Sequence, residues 1–259
     1  VQINIEEAGM AERAQAVVPE RFGSTCRRDA WWLTPALTAV GLLILGGYAF
    51  WRALQGANFK FGEYLSPLYS PEIHPGWWPL SPALLILIPP LLFRSTCYYY
   101  RKAYYRAFFL DPAACAVGEA HRGKYSGETK FPFVLQNMHR FAFYLAFIWL
   151  FFLWHDVWKA LWFDGRFGLG LGTLVILAST GTLTLYTLSC HSYRHLVGGK
   201  LDCFSCSASA RTRHGIWSRV TMLNEHHMGF AWISLFAVCF ADFYVWLLAT
   251  GILHDVRLL

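Results

Sequence analysis

The stretch "GFAWISLFAVCFADFYVWLLATG", Gly229 to Gly251, holds a single charged residue, Asp242. About 20 mostly apolar residues suffice for a helix to cross the hydrocarbon core of a bilayer. The run is continuously apolar and too long to alternate, which excludes a barrel strand. Four more runs of this kind lie upstream. They are "WWLTPALTAVGLLILGGYAF" (Trp31 to Phe50), "LSPALLILIPPLLFRSTCYYY" (Leu80 to Tyr100), "FAFYLAFIWLFFLWHDVWKALWF" (Phe141 to Phe163) and "GLGLGTLVILASTGTLTLYTLSC" (Gly168 to Cys190). The whole chain agrees: 56% of its residues are hydrophobic, 18% aromatic and 15% charged, against about 25% charged in a soluble domain.

The expected fold is therefore an all-α integral membrane protein, a bundle of five transmembrane helices near 31–52, 80–106, 137–163, 168–194 and 226–251. Residues 1–30 form a polar N-terminal segment, 31–251 the membrane domain and 252–259 a short tail. The first thirty residues include Glu6, Glu7 and Glu12 and do not read as a cleavable signal peptide. Lys and Arg set the orientation. Fifteen lie in the N-terminal segment and in the loops Arg101–Gln136 and Arg194–Met222, five lie in the alternate loops and the tail, and Arg94 and Arg140 lie near or within helices. This places the N-terminus inside and the C-terminus outside. The net charge of +6 then needs no nucleic acid to explain it; it suits anionic lipid or an acidic partner on the inner face. Pro89 and Pro90 are expected to kink the second helix.

Six of the seven Cys fall on the inner side, where disulfides are not expected. Cys239 reads as a packing residue. Cys97 lies four residues before Arg101, roughly 6 Å deeper. His139 marks the inner start of the third helix, Cys190 and His191 the inner end of the fourth, and His226 with His227 the inner start of the fifth. Soft ligands from four helices thus share one depth. Each has a plainer role too: a Cys packs in an apolar helix, a His anchors at an interface, His155–Asp156 forms an interfacial pair, and Cys203-x2-Cys206 is half a zinc knuckle. Convergence weighs against those roles, because ionisable groups in spanning segments are costly and usually functional. Arg94, about two turns inside the membrane, reads as a structural partner of an Asp or backbone carbonyls, or as a positive charge near a quinone or redox centre.

Two Cys and two His at one depth suit zinc or a Rieske-type [2Fe–2S] cluster, in which two imidazoles raise the potential to roughly −150 to +300 mV. The runs "RSTCYYYRKAYYRAF" (Arg94 to Phe108), "ACAV" (Ala114 to Val117), "KYSGETKFPFVLQNMHR" (Lys124 to Arg140), "SCHSYRHLVGGKL" (Ser189 to Leu201) and "LNEHHMGFAWISLF" (Leu223 to Phe236) resemble the membrane-anchor subunit, SdhC type, of actinobacterial and mycobacterial succinate dehydrogenase. The resemblance covers most of the chain from Arg94 onward. It implies respiratory complex II of the class with one five-helix anchor, free of haem and carrying a membrane-embedded Rieske-type cluster. It also implies a multi-pass protein of the plasma membrane, partnered by a flavoprotein and an iron–sulfur subunit and passing electrons to a quinone, with menaquinone expected. A higher oligomer of the complex stays open.

The resemblance does not say which side chains hold iron. By depth and helix of origin, Cys97, Cys190, His139 and His227 are the expected ligands, with Cys115, His191 and His195 in reserve. Only one of His226 and His227 should face inward, since neighbours on a helix diverge by about 100°. Tyr98, Tyr99, Arg101, His191 and His195 are candidate donors to a quinone. Two rival readings remain: the same anchor carrying b-type haem on His139, His191, His195 and His227, and a non-redox transporter or scaffold.

Overall fold

The structure is a computed structural model that describes residues 21–119, 129–131, 133–163 and 165–259. Most of the polar N-terminal segment, with Glu6, Glu7 and Glu12, and part of the basic loop after Arg101 lie outside these residues. The chain divides into two compact units, Val1–Leu42 with Arg101–Ser126, and Leu43–Tyr100 with Gly127–Leu259.

In chain order, α1 runs Leu33–Gln55, followed by the hairpin β1 (Lys60–Phe61) and β2 (Tyr64–Leu65) and a 3-10 turn, Pro67–Tyr69. Three shorter helices come next: α2 (Pro82–Ile86), α3 (Ile88–Thr96) and α4 (Tyr98–Tyr104). Then follow α5 (His139–Lys159), the hairpin β3 (Trp162–Phe163) and β4 (Arg166–Phe167), α6 (Leu171–Leu188), α7 (His191–Gly198), α8 (Ala208–Glu225) and α9 (His227–Ala249). Four helices are long and apolar enough to cross a membrane, or five if the bent pair Pro82–Thr96 and Tyr98–Phe109 counts as one span.

Three departures from the sequence expectation matter. The second span is not one helix over 80–106 but is broken at Leu87 and again at Cys97. The rings of Pro89 and Pro90 clash with carbonyls four residues back, which places the first break just before them. The fourth span does not run unbroken over 168–194: α6 stops at Leu188 and α7 starts at His191. A further helix, α8, occupies a stretch expected as loop.

Hydroxyls explain two of these stops. Thr96 Oγ1 donates to Leu92 O (2.7 Å), and Ser189 Oγ to Tyr186 O (3.0 Å). Such back-bonding offers helix carbonyls an alternative partner in the last turn. The next residue in each case, Cys97 (φ −66°, ψ 128°) and Cys190 (φ −65°, ψ 141°), is extended.

Within the larger unit α9 packs on α6, α3 on α5, α5 on α6, and α7 on α8. Lipid tails are as apolar as Leu, so burial of apolar area does little to drive helices together; close packing and polar bonds do. The buried faces accordingly carry small or hydroxyl residues, among them Ala142, Ala146, Thr173, Ser179, Thr180, Ala231, Ser234 and Ala241. Leu43, Ile44, Phe141, Phe151, Phe236 and Phe240 stay exposed, as a lipid-facing surface requires. At the hairpin end, Asp242 accepts from Arg52 Nε (2.8 Å), Tyr48 Oη (2.6 Å) and Ser66 Oγ (2.5 Å), while Ser70 Oγ donates to Asp156. Two serines thus pin the loop after β2 to two membrane helices. Arg94 does not reach Asp242, whose ion-pair partner is Arg52. His155 Nδ1 lies 3.8 Å from Asp156.

The smaller unit joins the segment before α1 to the loop after Phe109. Gly23 N donates to Gly118 O (3.0 Å), Gly118 N to Ser24 O (2.9 Å) and Thr25 Oγ1 to Ala116 O (2.6 Å). The Arg27 guanidinium reaches Cys115 O (2.9 Å) and Asp29. Arg27 holds the Asp29 carboxyl below its ordinary value.

Candidate functional site

At the opposite end from the hairpins, the larger unit gathers Cys97, His139, Cys190 and His227. The two thiols sit at the extended joints α3–α4 and α6–α7, and the two imidazoles on the first residues of α5 and α9. A residue at such a joint can turn its side chain into the bundle, which one in a straight helix facing lipid cannot. Cys97, Cys190 and His227 are 2%, 1% and 1% exposed. Cys97 Sγ lies 3.5 Å from His227 Nε2, and Cys190 Sγ 3.2 Å from His139 Nε2. Among the described residues, no three His, Cys, Asp or Glu side chains converge on one point as a mononuclear metal site would need.

The far nitrogens decide the tautomers. Thr96 Oγ1 lies 2.9 Å from His139 Nδ1, and Ser189 Oγ 2.6 Å from His227 Nδ1. A hydroxyl has one hydrogen to give, and both hydroxyls already give theirs to helix carbonyls. Each therefore accepts, each Nδ1 carries the proton, and each Nε2 presents a lone pair toward a thiol. A metal-ligating imidazole is held in the same way, its other nitrogen donating to a neighbour. The connections cross: the Thr96–Cys97 joint steadies His139 and presents its thiol to His227, and the Ser189–Cys190 joint steadies His227 and presents its thiol to His139. Aromatic rings fill in the flanks. Phe93 stacks on His139 (5.1 Å between centroids) and Tyr186 on His227 (4.9 Å). The backbone N–H of Ser192 points at Cys190 Sγ (3.4 Å).

The other sequence candidates separate. His226 is exposed, its Nδ1 donating to Met222 O at 3.3 Å. Cys115 is exposed and belongs to the smaller unit, as does Arg101, whose guanidinium lies over Tyr105. Tyr98 is exposed and meets Tyr99 edge-on at 5.9 Å; Tyr99 lies 5.2 Å from His227. Cys239 is buried, its thiol 3.6 Å from Leu45 O. Cys203 and Cys206 are joined as a disulfide, against the expectation of free thiols; their Cα atoms lie 5.7 Å apart, within bridging reach.

His191 and His195 meet at 4.5 Å on one face of α7. With Arg194, Gly198, Lys200 and Trp217 they line a cavity of about 410 Å³. Arg194 stacks on the Trp217 indole at 4.7 Å. Burial, then the charges of His195 and Arg194, lowers the His191 pKa from its ordinary value. Cys190 caps the helix on which His191 is the first residue, so the cavity and the Cys/His group are separated by one peptide.

Thr96, Ser189, Tyr186 and Trp217 escaped the sequence reading. The signal for the first two was present: a hydroxyl residue stands immediately before each buried thiol, in "STC" and "LSC".

No curated protein matches the chain. Among solved structures it is similar to a chain of the "Mycobacterium smegmatis Sdh1 complex in the apo form", with 40% identity and a TM-score of 0.81, over 94% of this chain and 98% of that one. The profile of the actinobacterial succinate dehydrogenase subunit SdhC matches residues 33–251. The chain belongs to that family and is a membrane-embedded subunit of succinate dehydrogenase.

Proposed function

We propose that this subunit holds a Rieske-type [2Fe–2S] cluster at its Cys/His end and reduces a membrane quinone, menaquinone being the one expected, beside it. The carrying observation is the tautomer arrangement: two buried imidazoles offer Nε2 lone pairs to two buried thiols. Cys97 and Cys190 would hold one iron and His139 and His227 the other. When bound, such a cluster supplies one-electron transfer in the range of roughly −150 to +300 mV. For b-type haem the fit is poorer, because each Nε2 already faces a thiol and an aromatic ring covers each imidazole.

The quinone head would lie in the cavity beneath α7. A quinone becomes quinol by taking two electrons and two protons. His191 and His195 can donate ring N–H to its carbonyls and pass on protons drawn from the water the cavity meets. The Trp217 face supports the ring, and Arg194 and Lys200 favour the negative charge that develops on the oxygens. The basic inner loops would receive an iron–sulfur subunit, which takes electrons from a flavoprotein. On this reading the Cys/His end faces the inner side of the plasma membrane.

The test is metal analysis and EPR on the purified complex. Iron beyond that of the soluble subunits, with a low average g typical of mixed Cys/His ligation, is expected. Replacing His139 and His227 together should abolish that signal and quinone reduction. Normal quinone turnover in the double variant would overturn the reading.

A further inference from the structure

Cys203 and Cys206 close a disulfide across three residue steps, on the stretch that joins α7 to α8. Their placement argues against a structural staple. A disulfide stabilises a fold more as the loop it closes lengthens, and this loop is very short. Cys206 is exposed and Cys203 half-buried. On the reading above this end faces the inner side, where thiols are kept reduced and the disulfides that form are usually transient, catalytic or redox-sensing.

The bridge encloses Phe204, and Phe204 begins a ladder of stacked rings. Its ring lies 4.5 Å from His214 at 24°, and His214 lies 5.8 Å from Trp217 at 18°. Arg194 lies over the Trp217 ring at 4.7 Å. Trp217 and Arg194 line the cavity of about 410 Å³; Phe204 and His214 are not among its lining residues. Arg211 of α8 reaches back to Ser205 O (3.3 Å), and Ser207, directly after Cys206, caps α8 by accepting from Ala210 N (3.1 Å). With the bridge closed, the Cα atoms of Cys203 and Cys206 lie 5.7 Å apart. Three residue steps at full extension span about 10 Å. Opening the bridge therefore frees the turn, and with it the outermost ring of the ladder.

We propose that the Cys203–Cys206 pair is a redox-responsive clasp on the quinone cavity. The disulfide form holds Phe204 on His214 and so sets Trp217 and Arg194; the dithiol form releases them and slows quinone reduction. The step is thiol–disulfide exchange with an intracellular dithiol. One thiolate of that reductant attacks a sulfur of the bridge and breaks the S–S bond. Its second thiolate then displaces the mixed disulfide. Two electrons and two protons pass to Cys203 and Cys206, and the reductant leaves as its own disulfide. Exposed disulfides are the ones open to such attack. Phe204 and His214 are positioning residues in this scheme. The proposal rests on the quinone reading above.

The test equilibrates the intact complex in mixtures of reduced and oxidised dithiothreitol. Alkylation and mass spectrometry count the reduced fraction of the pair, and kcat/KM for quinone is compared with dye-coupled succinate oxidation. The ratio should fall several-fold as the pair is reduced, with about 10²-fold as the ceiling for a misplaced positioning group, and recover on reoxidation. Cys203→Ser with Cys206→Ser should hold the low ratio in every mixture. His214→Ala should lower the ratio of the oxidised complex, and His214→Phe, which keeps a flat ring, should restore it. A ratio that stays constant while the pair goes from bridged to reduced overturns the clasp. So does a pair that stays reduced in oxidised dithiothreitol, or a double Ser variant at the oxidised wild-type ratio. If the double Ser variant does not assemble, the wild-type titration decides. Joint replacement of His191 and His195 separates the two readings. If it lowers the ratio and reduction of the pair does not, the clasp fails and the quinone cavity stands; if it leaves the ratio intact, the quinone reading fails and takes the clasp with it.

Discussion

Thr96 and Ser189 each spend their one hydroxyl hydrogen on a helix carbonyl and their lone pairs on an imidazole. Thr96→Val and Ser189→Ala keep shape but remove the acceptor, freeing each ring to rotate and to take the other tautomer. Loss of such a supporting bond typically costs about 10–100-fold in metal affinity. Iron content per complex, measured after dialysis against a chelator, should fall in both variants and furthest when they are combined. At the hairpin end, Lys60 Nζ lies 2.9 Å from Glu72. Lys60 holds the Glu72 carboxyl below its ordinary range, and Glu72 raises the Lys60 ammonium above its own. The pair's contribution is therefore present at neutral pH, is lost as pH falls through the lowered Glu72 value, and is lost again as pH rises through the raised Lys60 value. Both side chains are largely exposed, at 51% and 40%, so the contribution is at most about 1 kcal/mol. Glu72→Gln should lower Tm slightly at pH 7 and not at pH 3.

Short helices meeting at joints distinguish this bundle from a set of straight spans. The contact between α7 and α8 depends on Gly198: a Cβ there would run into the Trp217 ring. Gly198→Ala must push Trp217 aside or open the α7–α8 contact, at a cost of about 1–3 kcal/mol for overpacking. Trp217 is a wall of the cavity, and misplacing a positioning group by about 1 Å can cost about 10²-fold in rate. Quinone reduction should fall relative to dye-coupled succinate oxidation, by up to that factor in kcat/KM. An unchanged ratio would remove the quinone head from this cavity. The elements also show what was readable beforehand. The apolar runs located α1, α5, α6 and α9 because their length and continuity are properties of sequence alone. The breaks at Cys97 and Cys190 were missed because an extended residue between two helices leaves no mark on hydropathy.

Across the whole molecule, one buried ion pair couples distant parts of the chain. Arg52 of α1 and Asp242 of α9 are both fully buried, and Asp242 also accepts from Tyr48 and Ser66. The guanidinium is further bound by Gln55 Oε1 (2.6 Å), Ala57 O (3.2 Å) and Asn58 O (3.0 Å). Asp242→Ala would leave that guanidinium buried without its counter-charge, a loss of about 3–5 kcal/mol. It would also release the tether to Ser66. The expected outcome is a clearly lower Tm for the complex, measured in detergent. Replacing Arg52 and Asp242 together by Leu should cost much less, because no lone charge remains.

By itself the sequence determined that this is a membrane protein, through runs of apolar residues whose hydrocarbon solvent requires helices. It also brought Cys97, His139, Cys190 and His227 to one depth, because 1.5 Å per residue converts position along a helix into depth. Tertiary structure decided which thiol meets which imidazole, which nitrogen carries the proton, and that Asp242 answers Arg52 and not Arg94. Those choices depend on rotation about helix axes and on the places where helices stop. Both are fixed by packing and hydroxyl bonding between segments far apart in the chain, which no single run of residues encodes.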